Sequence, residues 1–346
     1  MINRQQIVGP ISSLPSNYCF NGIDLIKFFC SYLVCMVHIP FISGIDSVWA
    51  NEINYFVQNS VSRIAVPFFF AASGFLLFRK IDINNINFER IKKYCYRLLL
   101  LLGIWFVLLF VGNTDQLWYL GGSVIVTLIL TMFLKKKIPY KVIGIISIVL
   151  YIFGLLMDSY SGFIKSISIK TGLSCFYDFI KFFDSEVSRT IRLGVFFAFV
   201  FFIMGVLFVY KPIRMNIPVA IIGFIVSILL LIVEAYFVKI RRTPLDNNMY
   251  ISLLPATFFL FYIATHLKLK DRKIYSTLRA MGVLVFFLHL FVNRLIDWIF
   301  VIVKDVFGLD LSIFTLVSVI VLSTVLAYFI VRLSKKEKYK WLQFLY

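Results

Sequence analysis

Apolar runs close to twenty residues long recur about ten times along this chain, and that length lets an α-helix cross the ~30 Å hydrocarbon layer of a bilayer. They lie near residues 22–42, 61–78, 98–112, 118–134, 142–158, 193–210, 217–238, 250–267, 280–303 and 311–331. Composition agrees: 61% of residues are hydrophobic, 15% are charged and the mean hydropathy is +0.91. A soluble core of 346 residues could not hide so much apolar surface. The fold expected is all-α, a polytopic transmembrane helical bundle of about ten spans forming a single domain over 1–346. Neither an internal repeat, nor a low-complexity linker, nor an appended soluble domain is visible, and one longer connection runs over about 159–192.

The net charge of +18 is distributed unevenly. Arg79, Lys80, Arg90, Lys92, Lys93 and Arg97 precede the third span, and Lys135, Lys136, Lys137 and Lys141 follow the fourth. Lys268, Lys270, Arg272, Lys273 and Arg279 precede the ninth, and Arg332, Lys335, Lys336, Lys338 and Lys340 follow the tenth. Cytoplasmic loops collect such residues, so both termini are expected in the cytoplasm. The charges sit in short interhelical loops without a contiguous patch or aromatic platform, which argues against a nucleic-acid partner. Five cysteines, Cys19, Cys30, Cys35, Cys95 and Cys175, show neither a disulfide framework nor metal-ligand spacing, and no metal is expected. No cleavable leader is expected, because the residues before the first apolar run are polar and that run is span-length.

Ionisable residues inside a span are costly and usually face a cavity. Lys27 and His38 both fall in the first span, eleven positions apart, about three helical turns, so they share one face roughly 16 Å apart along the axis. Asp24 stands one turn before Lys27 and is placed to neutralise and orient it as an i, i+3 pair. The second span reads Val61-Ser-Arg-Ile-Ala-Val-Pro67-Phe-Phe-Phe-Ala-Ala-Ser73-Gly74-Phe-Leu-Leu77. Pro67 removes a backbone donor and is expected to loosen the helix, while Ser73-Gly74 permits close approach of another helix or a ligand. Arg294 and Asp297 on the ninth span are spaced as an i, i+3 ion pair.

Taken together, these segments resemble the acyltransferase 3 family of integral membrane proteins. Ile23-Asp24-Leu25-Ile26-Lys27 followed by His38 is similar to the family's first helix, which carries arginine where this chain has Lys27. Val66-Pro67-Phe68-Phe69-Phe70 and Ser73-Gly74-Phe75-Leu76 resemble its second helix. Arg90 through Arg97 is similar to its basic loop, Leu117-Trp118-Tyr119-Leu120 to the start of its fourth helix, and Phe287-Leu288-His289 to a late histidine element. The proline that commonly follows that histidine is absent here. Within the family, the wording around Pro67 is closest to the branch of simple O-acetyltransferases and the membrane domains of membrane-bound serine racemases.

The resemblance implies transfer of an acyl group, usually acetyl, from cytosolic acetyl-CoA to a hydroxyl of a cell-surface glycan or a related envelope acceptor, at a bacterial cell membrane. Under that reading His38 is a general base or acyl carrier, suited by a side chain that titrates near neutrality. Lys27 guides the pantetheine arm or its phosphate, with Asp24 as its partner, and Lys92, Lys93, Arg97 and Ser73 contact the donor. Arg63, Trp118, Tyr119 and His289 face the acceptor. The partners are therefore the lipid bilayer, an acyl-CoA and a hydroxyl acceptor, with oligomerisation left open. Plainer readings stand beside these: Lys27 snorkelling to the interface and Arg63 anchoring its helix. The rival function is a transporter or flippase of a small polar solute such as an amino acid, or of a glycan intermediate, with Pro67 and Pro255 as its helix breaks.

Overall fold

The computed structural model describes residues 19–82, 86, 88–109, 115–172, 193–211, 213–240 and 247–346. Among them the regular structure is helical, with no strand. In chain order the helices are α1 (Asn21–His38), α2 (Val48–Asn59), α3 (Ala65–Phe78), α4 (Phe88–Leu108), α5 (Trp118–Lys135) and α6 (Tyr140–Met157). There follow α7 (Ser161–Thr171), α8 (Phe199–Tyr210), α9 (Ile217–Ile240), α10 (Leu253–His266), α11 (Ile274–Phe307) and α12 (Thr315–Leu333). A π-helical turn, Leu193–Ala198, leads into α8.

Each of the ten expected runs overlaps a helix, and among the described residues seven helical stretches are long and apolar enough to cross a membrane: Val48–Phe78, α5, α6, Leu193–Tyr210, α9, α11 and Ser312–Leu333. Helix α10 is apolar but only 14 residues long. Contacts such as Asn21 with Asp271, Arg79 with Phe20, Lys135 with Phe88 and Tyr210 with Ile81 and Tyr140 put the starts of α1, α4, α6, α9 and α11 at the end of the bundle where α3, α5, α8, α10 and α12 finish. We call it the basic end, since the lysine-rich connections gather at it; the other is the far end.

Several boundaries differ from the sequence reading for local reasons. Helix α1 stops at His38, because Ile39 precedes Pro40 and is held extended at φ −120°, ψ 126°. Helix α4 starts at Phe88, so Lys92, Lys93 and Arg97 ride on a helix rather than in a loop. Pro67 and Pro255 do not break spans: each is the third residue of its helix, α3 and α10, where a missing N–H costs little. The bend in Val48–Phe78 lies instead at Ser60, with φ −129° and ψ −89°. The connection over about 159–192 contains α7; its residues 173–192, with Cys175, lie outside the described residues.

Phenylalanine fills the interior: Phe68 and Phe75 of α3 pack against Phe261 of α10, Phe78 of α3 meets Phe202 of α8 edge-on, and Phe70, Phe199 and Phe201 are buried beside them. That α3–α8 crossing is close because glycines face it from both sides. A methyl group on Gly74 would run into the Phe202 carbonyl, and one on Gly205 into the Ala71 carbonyl. At the outer surface the bundle presents apolar side chains, such as Ile222 and Phe237 of α9 and Trp298 and Phe307 of α11.

Candidate functional site

Helices α1 and α11 run side by side in the same direction, although some 250 residues separate their contacting residues. Near the basic end Asp24, almost fully buried, accepts two hydrogen bonds from Arg279, from Nε at 2.7 Å and Nη2 at 2.5 Å. One turn further, Gly282 lets α11 approach the Phe28 backbone: a Cβ there would lie 3.3 Å from the Phe28 Cα. Beyond that, the rings of His38 and His289 meet with centroids 5.3 Å apart and planes tilted by 36°. Three contacts thus place the polar face of α1 along one face of α11.

The structure gives Asp24 a different partner from the one the spacing suggests. Its carboxylate is locked to Arg279, not to Lys27, because a guanidinium presents two parallel donors that match both oxygens. Lys27 is half-buried between the helices, and its charged surroundings comprise Asp24, Arg279 and Arg97. Cations of α1, α4 and α11 thus outnumber the one carboxylate among the charges that act on Lys27, an excess of positive charge suited to an anionic group. Arg279 was not legible as a site residue: in sequence it is one more basic residue before a span.

Lys92 pairs with Glu89 at 3.5 Å on the exposed face of α4, and Lys93 is exposed beside it. Arg97 donates from Nη2 to the backbone oxygen of Tyr346 at 2.7 Å, and Trp105 Nε1 donates to the Leu345 oxygen at 3.1 Å. The segment Glu337–Leu345 thus folds back onto α4, next to the cations. Ser73 hydrogen-bonds with the Tyr119 hydroxyl at 3.1 Å, and that tyrosine ring sits among Phe69, Phe70 and Phe286. Trp118 packs on Phe70 and Phe197.

Arg63 lies apart from this face. Its guanidinium is spent on Gln58 O at 3.0 Å, Asn248 Oδ1 at 2.6 Å and Asn59 Oδ1 at 2.8 Å, tying α2 to the segment before α10. Asp297 takes a hydrogen bond at 3.0 Å from Asn293, one turn earlier on α11.

The two histidines differ. His38, the last residue of α1, is exposed at the far end of that helix. His289 is fully buried; its Nδ1 lies 2.8 Å from the Phe286 oxygen, which can only accept, so Nδ1 carries the hydrogen and Nε2 keeps a lone pair. That Nε2 has no hydrogen-bond partner. No group of three or more His, Cys, Asp or Glu side chains able to hold a metal ion occurs among the described residues.

Comparison with known proteins gives relatives but no family. The chain is 29% identical to an amino-acid racemase of Enterococcus faecalis, over 91% of this chain and 46% of that protein. A second amino-acid racemase of Enterococcus faecalis is 28% identical over 75% of this chain and 38% of its own length. A serine/alanine racemase of Enterococcus gallinarum is 26% identical over 69% and 36%. The chain spans less than half the length of the curated relatives it matches. No family model matches it, and no solved structure is significantly similar.

Proposed function

We propose that this protein is a membrane-embedded O-acyltransferase of the acyltransferase 3 type, moving an acyl group, in the first instance acetyl, from cytosolic acyl-CoA to a hydroxyl on a cell-surface glycan. The observation that carries the reading is the continuous α1–α11 face, with a cation cluster toward the basic end and a histidine pair about three turns beyond it. The donor suits that face: its phosphates match Lys27, Arg97 and Arg279, and the exposed Lys92 and Lys93 flank the approach. Ser73, held by its hydrogen bond with Tyr119, offers a neutral hydroxyl to the pantetheine arm. The donor contributes a thioester carbonyl, and the protein holds the reactants and handles the proton.

In the transfer, the acceptor oxygen bonds to the acyl carbon and the carbon–sulfur bond breaks. The hydroxyl proton passes to the imidazole of His38, which is exposed to an acceptor arriving from the far side, and then to the leaving thiolate. The half-buried Tyr119 and Trp118 line the acceptor side; Arg63 serves the scaffold instead.

A second reading draws on the relatives, whose names concern amino acids: the bundle binds or transports a small amino acid. Mass spectrometry of envelope polysaccharide from cells with and without the protein separates the two. An added acyl mass dependent on the protein is the expected result. Unchanged polysaccharide, together with accumulation of serine in vesicles free of acyl-CoA, would replace the enzymatic reading with the transport one.

A further inference from the structure

Along α11, His289, Asn293 and Asp297 follow one another at four-residue spacing, so they form one polar stripe running from the histidine pair toward the far end. Two acceptor atoms on it are buried and unpartnered: His289 Nε2 and Asn293 Oδ1. Neither can be turned to satisfy itself. The His289 tautomer is fixed by the bond from Nδ1 to the Phe286 oxygen, and the amide of Asn293 is fixed by the bond from Nδ2 to Asp297. Buried acceptors are almost always paired in folded proteins, and leaving one without a donor costs on the order of 1–3 kcal/mol. Two such atoms on adjacent turns, the first of them on the ring that meets His38, mark a place where donors arrive from outside the chain.

We infer that His289 and Asn293 form a subsite for a vicinal diol, the unit a sugar ring presents, with one hydroxyl donating to each acceptor. Side chains one turn apart have Cβ atoms roughly 5–6 Å apart, a span that two neighbouring hydroxyls bridge by hydrogen bonds at both ends. Both acceptors are neutral, so they suit hydroxyls; a buried ammonium would need a carboxylate, and Asp297 lies a turn further out and is engaged by Asn293. The subsite deepens the acyl-transfer reading and rests on it for its role. It makes the enzyme selective for acceptors with a free hydroxyl next to the one that is acylated, and makes His289 and Asn293 positioning residues for the hydroxyl that His38 deprotonates.

Binding is measured on the purified full chain in lipid nanodiscs, without acyl donor, by thermal shift with trans-cyclohexane-1,2-diol, cyclohexanol and L-serine. The diol is expected to bind about tenfold more tightly than the mono-alcohol, the worth of one neutral hydrogen bond. Asn293→Leu should erase that difference while leaving cyclohexanol unchanged. Equal shifts from diol and mono-alcohol overturn the inference, with water then satisfying the two atoms, and so does a response to L-serine alone. The wild-type comparison decides even if the variant fails to fold. Because no donor is present, the result is independent of acyl transfer: diol selectivity without His38-dependent thioester turnover removes the acyl-transfer reading only, and turnover without diol selectivity removes the subsite only.

Discussion

At the scale of single residues, His38 is where function and folding separate most cleanly. It is exposed and terminates its helix, so His38→Ala removes little packing. The variant is expected to reach the membrane at wild-type level and to leave the polysaccharide unacylated, read by quantitative immunoblot and mass spectrometry. Persisting acylation would strip the imidazole of its assigned role. Asp24 is the opposite case, being buried and charged. Arg279→Ala leaves that carboxylate unpaired, at a cost near the lower end of the roughly 3–5 kcal/mol seen for broken buried pairs, since Arg279 is itself half exposed. Thermal unfolding in detergent should show a clear loss of stability, partly restored in the double variant Asp24→Asn/Arg279→Gln; an unchanged midpoint for the single variant would mean the pair does not hold α1 to α11. The sequence pointed at Asp24, Lys27, His38 and His289 because polar residues in apolar runs stand out. It could not point at Arg279 or Asn293: one hides among loop cations, the other carries no charge, and their partners lie on elements hundreds of residues away or depend on a fixed amide orientation.

At the scale of elements, spans were legible because the apolar period needed for a helix in lipid is written locally. Their ends were less so. The extended residue before Pro40 could have placed the end of α1, whereas the amphipathic first half of α4 reads as a loop until tertiary contacts hold it. Gly74 and Gly205 set the α3–α8 spacing, so Gly205→Ala forces a methyl group against the Ala71 carbonyl. Such overpacking is expected to cost about 1–3 kcal/mol, visible as a lowered unfolding midpoint, and a neutral outcome would show the crossing can open. The turn between α11 and α12 carries a pH-dependent contact. Lys304 Nζ at 2.8 Å, then the Ser312 hydroxyl at 2.6 Å and its N–H at 3.0 Å, hold the Asp310 carboxyl well below the usual carboxylate range. A carboxylate depressed in the folded state stabilises the turn above its unfolded value, near pH 4, and loses that contribution as pH falls further. Hydrogen exchange at 308–312 should therefore stay flat from pH 7 to 5, after correction for intrinsic rates, and lose protection only in stronger acid; Asp310→Asn should lack that acid step.

At the scale of the whole molecule, the unequal charge of the two ends is the one property the sequence states outright and the helices merely transmit. Lys135, Lys136, Lys137, Arg272, Lys273, Lys335 and Lys336 all lie at the end where α5 and α12 finish and α11 starts, while Ser43 and Gly308 lie at the other. Moving several such cations across a bilayer against the membrane potential and away from anionic lipid is unfavourable at every step, so the basic end is expected to face the cytoplasm. The same orientation is what acyl transfer demands, since it puts the cation cluster of Lys27, Arg97 and Arg279 on the side where acyl-CoA is made and exposes His38 to the surface. Labelling of single cysteines in intact cells tests both at once. In a background with Cys19 and Cys175 replaced by serine, a membrane-impermeant maleimide should modify Ser43→Cys and spare Lys136→Cys, which reacts only after the membrane is opened. The reverse pattern would place the cations outside, where no acyl-CoA could reach them, and acyl transfer from a cytosolic donor along the α1–α11 face would fall with the orientation.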